Sequence, residues 1–130
     1  MFTIEQVKAA HARVKSGADF PAYVQDLIQL GVKSYTIFVA DGHADYFSEN
    51  GYQTSSAATY EALPIAGRSN AEDFKHKLKI HQQGQTDYMT FCCDSADTGV
   101  EKWTVDLIEM LCIYYDKAGN VMVVETIPGI

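Results

Sequence analysis

The chain has 130 residues, 47% of them apolar and 21% charged, with a net charge of −7, the balance of a soluble globular domain rather than a disordered chain. A single compact domain spanning 1–130 is expected, long enough to bury roughly two thirds of its unfolded surface without disulfide or metal staples. The acidic excess argues against nucleic acid, whose affinity rests on Lys and Arg neutralising phosphates. The absence of any apolar run near the ~20 residues of a bilayer span, and of a signal-like start in Met1-Phe2-Thr3-Ile4-Glu5, argues against a membrane and for the cytoplasm.

Thr3-x-x-Gln6 has the form of a capping box, and Ile4, Val7, His11 and Val14 follow at helical spacing, which predicts a first helix over about 3–16 before Gly17. Phe20-Pro21 restarts a helix, because proline is tolerated in a first turn, and Val24, Leu27 and Ile28 form its apolar stripe up to Gly31. From Lys33 the pattern becomes Tyr35-Thr36-Ile37-Phe38-Val39, rich in β-branched and aromatic residues; Asp41-Gly42-His43 separates it from Ala44-Asp45-Tyr46-Phe47, so a hairpin is expected. Asn50-Gly51 signals another turn, with a third strand from Tyr52 to about Thr54. Residues 61–66, carrying Pro64, read as a short edge strand. Ser69-Asn70-Ala71-Glu72 has the form of a second capping box, opening a helix with Phe74, Leu78 and His81 inward; Thr86 then caps a short helix carrying Tyr88, Phe91, Cys92 and Ser95 on one face. Residues 100–127 read as one long antiparallel hairpin turning at residues 116–120. On its first arm Trp103, Val105 and Leu107 alternate with polar residues. The phase then slips, and Met110 to Tyr115 is apolar on both faces, which requires either a bulge or a cover on the second face.

The order α-α-β-β-(β)-α-α-β-β predicts an α+β fold: an antiparallel sheet of about four to five strands with helices packed on one face.

Among residues that carry chemistry, Asp41, His43 and Asp45 place two carboxylates around an imidazole at a hairpin tip, where a divalent metal or a general acid/base pair could be built. The competing reading is an ordinary turn, since Asp-Gly suits positive φ. No metal is expected, because zinc needs three or four ligands and no second cluster stands at ligand spacing. Tyr46 and Tyr114 fall in strand patterns and join the candidate ligand-binding set if the tyrosines line a concave face. Arg68-Ser69 at a helix start suggests a weak anion site. Cys92, Cys93 and Cys112 are odd in number and lack the Cys-x-x-Cys spacing, so buried reduced thiols are expected. No catalytic set and no cofactor motif is complete.

Phe20-Pro21-Ala22-Tyr23, Leu30-Gly31-Val32, Tyr35-Thr36, Asp41-Gly42-His43, Tyr46-Phe47, Glu61-Ala62-Leu63 and Tyr114-Tyr115-Asp116-Lys117-Ala118-Gly119-Asn120 together resemble the YbcV-like, or phage-envelope-like, family of small bacterial and prophage proteins. The resemblance spans almost the whole chain and implies a compact α+β domain of unassigned function, with no catalytic residues to carry over. The sequence thus points to a cytoplasmic, non-enzymatic binding or self-association module, with a homodimer as partner arrangement. The alternatives are a small-molecule-binding protein or unclassified enzyme near Asp41, His43 and Asp45, and a phage structural component.

Overall fold

The computed structural model describes residues 2–14, 19–48 and 51–127. Among them are four helices and one six-stranded antiparallel sheet, an α+β fold with more strands than the four to five expected. In chain order the elements are α1 (Ile4–His11), α2 (Phe20–Leu30), β1 (Ser34–Phe38), β2 (Ala44–Phe47), β3 (Gln53–Ser55), α3 (Ala71–Gln82), α4 (Tyr88–Asp97), β4 (Val100–Asp106), β5 (Leu111–Asp116) and β6 (Val121–Thr126). Across the sheet the strands run β3-β2-β1-β4-β5-β6.

The helices start where side chains satisfy their free N–H groups. Thr3 and Gln6 close the expected capping box on α1, which ends at His11 rather than near residue 16. Gly17 lies outside the described residues, as do Asn50 and Pro128. Asn70, not Ser69, caps α3 by accepting from the Asp73 N–H, and Asp87, not Thr86, caps α4 by accepting from Thr90. Each cap sits one residue later than expected, because Asn and Asp carboxyl or amide oxygens reach the third N–H at least as well as a serine or threonine hydroxyl does.

The extra strand comes from residues 100–127, which form a three-stranded meander instead of one long hairpin. The phase slip after Leu107 is a turn, not a bulge or a doubly covered strand. Asp106 Oδ1 accepts from the N–H groups of both Ile108 and Glu109, at 2.9 and 3.0 Å, and Met110 takes the left-handed φ of 57° that closes the turn. Cross-strand partners share a face, so Val105 opposite Cys112 and Trp103 opposite Tyr114 carry the apolar series from odd to even numbers. Two register shifts occur farther along, between Val100 and Lys102 and beside Tyr114–Tyr115. The edge strand expected at 61–66 is absent: that stretch is irregular, and its N–H groups go to the Ala40 carbonyl from Leu63 and the Ala96 carbonyl from Ala66.

All four helices cover one face of the sheet. α1 and α2 lie over β1 and β2, where His11 meets Tyr23 edge-on, Tyr23 meets Tyr35, and Tyr35 meets Tyr46 at 5.4 Å between ring centres. α3 and α4 lie over β4 to β6, where Phe74 meets Tyr114 at 4.9 Å and Phe91 meets Trp103 at 5.6 Å. Tyr35, Ile37, Trp103, Val105, Cys112 and Tyr114 are accordingly buried. On the opposite face, among the described residues, no helix is packed. Thr36, Phe38, Lys102, Thr104, Ile113 and Tyr115 are only half-buried there, and Val124 is 52% exposed.

Candidate functional site

The β1–β2 turn builds the one local polar device among the expected site residues. Asp41 Oδ1 accepts from the His43 backbone N–H at 3.0 Å and meets His43 Nδ1 at 2.5 Å. The backbone N–H first, and the imidazole second, hold the Asp41 carboxyl below the usual carboxylate range. The imidazole also stacks on Phe38, with ring centres 4.3 Å apart and planes 7° from parallel. With Nδ1 committed to Asp41, the ring's other nitrogen is the one left to meet a partner, the arrangement by which a carboxylate orients a base.

The turn is locked from behind by the segment that returns from β3. Thr59 and Leu63 donate their N–H groups to the carbonyls of Asp41 and Ala40, at 2.8 and 2.6 Å, and Tyr60 donates its hydroxyl to the Val39 carbonyl. Gly42 stands at φ 75°, and a Cβ there would collide with Thr59 Oγ1 and the Tyr60 ring. Glycine is therefore required for two independent reasons, the left-handed backbone and the close approach.

The remaining expected residues do not join this dyad. Asp45 lies on the uncovered face and accepts from Ser55 Oγ at 2.7 Å. Tyr46, its neighbour in the strand, points to the opposite face because strand side chains alternate; it is buried under α1 and α2 and packs against Tyr35. Tyr114 is wedged between Phe74 and Trp103, with burial pushing its hydroxyl well above its ordinary range. The described residues bring together no group of three or more His, Cys, Asp or Glu side chains able to hold a metal ion.

Two shallow clefts mark the surface, and neither touches these residues. One lies at the start of α3, between Arg68, Ser69, Asn70, Glu72 and Asp97; the other lies between α1 and α2. The first holds the Arg68-Ser69 pair considered as an anion site, but two carboxylates share it and the Asn70 side chain is committed to the helix cap.

A polar cluster that the sequence does not signal lies under the helices. Tyr60, whose hydroxyl donates to the Val39 carbonyl, and Tyr88 both lie beside the Cys92 thiol. Tyr88 exposes 43% of its surface while its hydroxyl end is turned inward to the thiol. Burial pushes the Cys92 thiol up and the Cys112 thiol up to about 12. Both are therefore protonated at neutral pH, which suits small core residues and not nucleophiles.

Residues 8–126 match the model of a family described as protein of unknown function (DUF1398). The chain belongs to that family. No curated protein matches it. The DUF1398 match covers every strand and all helices but the first turn of α1, so the whole layered architecture, including the uncovered sheet face, lies within the family's extent.

Proposed function

We propose that this DUF1398 protein is a non-enzymatic, cytoplasmic binding module of the YbcV-like kind, and that it takes its partner on the uncovered sheet face. The observation that carries this reading is the composition of that face. Phe38, Phe47, Leu111, Ile113 and Tyr115 stand on it only half-buried and Val124 more open still, framing the central polar residues Thr36, Thr104 and Lys102. A one-sided antiparallel sheet normally turns a polar face to water; contiguous apolar area on such a face marks an interaction surface. The candidate polar groups, by contrast, line neither of the two clefts described above.

Hydroxyl-radical footprinting of Tyr115 and Phe38 tests the reading. Both rings are expected to be less modified in intact cells that make the protein than in the dilute purified chain. Equal modification in the two settings would overturn it.

A second reading places a small-molecule or enzymatic site at the hairpin tip, supported by the oriented Asp41–His43 pair. It predicts that the His43 ring resonances of the purified protein move on addition of a ligand while those of His76 stay fixed. A phage structural role is supported by the family resemblance alone.

A further inference from the structure

We infer that the partner on the uncovered face is a second copy of this chain, packed sheet against sheet about a twofold axis that runs along the cross-strand row Asp45, Thr36, Thr104, Ile113 and Val124. The inference rests on the reading of that face as the binding surface and names its occupant.

The register carries the argument. Asp45, Thr36, Thr104, Ile113 and Val124 are successive cross-strand partners on β2, β1, β4, β5 and β6, and the Thr36 and Thr104 hydroxyls meet at 3.0 Å in the middle of the sheet. Two parallel rows flank this one on the same face. One contains Phe38, Lys102, Tyr115 and Val121; the other contains Phe47, Ser34, Asp106 and Leu111. A twofold axis along the middle row lays each flanking row over the opposite flanking row of the other copy, because rotation about it reverses the strand direction and inverts the face.

The two flanking rows are complementary in charge and in shape class. On β4, Lys102 lies two residues before Thr104 and Asp106 two residues after it. The axis sets Lys102 of each copy against Asp106 of the other, giving two equivalent ion pairs. On β5, Tyr115 and Leu111 stand in the same relation to Ile113, so each Tyr115 ring meets the other copy's Leu111, and Ile113 meets its own counterpart. Lys102 is already held over the Tyr115 ring, with its ammonium 5.7 Å from the ring centre, which keeps the cation within its flanking row and on the face.

The size is adequate for a reversible dimer. Five strand spacings of about 4.8 Å and strands of three to seven residues, about five on average and rising ~3.4 Å per residue, give a face of roughly 24 by 17 Å. Corrugated by side chains, that corresponds to the lower end of stable interfaces, for which about 600–800 Å² is buried per partner. At the far end of the middle row the axis sets the two Asp45 carboxylates, each accepting from its own Ser55 hydroxyl, against each other, a like-charge contact that limits the strength of the dimer.

Light scattering on size-exclusion fractions of the full chain tests this. A dimer whose share rises with concentration is expected, half-dissociating in about the micromolar range. Lys102→Asp sets carboxylate against carboxylate at both pairs, and Asp106→Lys sets ammonium against ammonium. Each single change should weaken the dimer at least tenfold, and the double variant Lys102→Asp/Asp106→Lys should recover most of the loss. Because Asp106 also holds the β4–β5 turn, Ile113→Asp provides a variant remote from that turn. It apposes two like charges on the axis and should leave a folded monomer by circular dichroism.

A purified chain that stays monomeric at every concentration would overturn the second copy as partner. If Tyr115 and Phe38 are nevertheless protected in cells, the face still binds and only its occupant was misassigned. If they are not protected, both readings fall. A dimer indifferent to Lys102→Asp and Ile113→Asp would also overturn the inference, placing the contact elsewhere, such as the open edge of β6.

Discussion

The two faces of the sheet are made by the same six strands, yet they are built on different principles. The covered face is aromatic and continuous with the helices: Tyr35, Tyr46, Trp103 and Tyr114 interlock with Tyr23, Phe74 and Phe91. The uncovered face has a hydroxyl pair at its centre, one lysine and two aspartates, and aliphatic and aromatic residues distributed between them. The difference teaches that core packing is confined to one side of the layer, which leaves the other side available for the association proposed above. Large losses of stability should follow substitutions on one side, and changes of association should follow substitutions on the other.

The sharpest way to break this division is Trp103→Ala. Removing the ring between Phe91 and Tyr114 leaves a cavity on the covered face and should cost about 3–5 kcal/mol. Urea denaturation measures it, and a value within about 1 kcal/mol of the parent would show that the helices are not seated on the sheet as described. Next in size is Gly42→Ala, which forces a side chain into the Thr59–Tyr60 approach at a left-handed φ. About 2 kcal/mol or more should be lost, whereas an unchanged midpoint would mean that the segment after β3 does not clamp the hairpin tip.

Acidification gives a smaller, signed effect on the covered side. Burial against Phe91 lowers the proton affinity of His81, whose Nδ1 lies 3.1 Å from Thr86 Oγ1; the carboxylates of Asp87 and Asp94 offset this only in part. The unfolded chain, with its imidazole near the ordinary value of 6.5, then binds the proton more readily than the folded one. Stability is therefore fully present above pH 6.5 and falls as the pH drops through that value. Melting temperatures across this window should decline less steeply in His81→Gln, and identical slopes would place the titrating group elsewhere. Smallest of all should be Tyr115→Ala. On the uncovered face it should change the stability of the dilute chain by less than about 1 kcal/mol, while weakening association in the same preparation. A large loss of stability would erase the distinction between the faces.

Much of this architecture was legible in the residues. The β1–β2 hairpin and α3–α4 announced themselves through alternation, caps and turn residues. The β4–β5 turn did not, because Asp106 to Met110 contains no Gly, Pro or Asn. Its two ingredients, an aspartate accepting from two N–H groups and a methionine at positive φ, look in sequence like the continuation of a strand. Residues 61–66 misled in the opposite direction: Leu63 and Ile65 pack against the core without any strand pairing. At the candidate site, the Asp41–His43 contact follows from local spacing. The separation of Asp45 from Tyr46, and of both from Tyr114, depends on which face the helices cover, a tertiary fact that no local pattern encodes.

Trp103, the chain's single tryptophan, sits 5.6 Å from Phe91 and 5.9 Å from Tyr114 between ring centres, only 7% exposed. The molecule thus carries an optical probe confined to the helix-facing layer, fed by excitation transfer from the tyrosines around it. Its emission should report whether α4 is docked on the sheet and stay silent to anything that settles on the other side. A titration that changes particle mass without moving the tryptophan spectrum would separate assembly from folding in one cuvette.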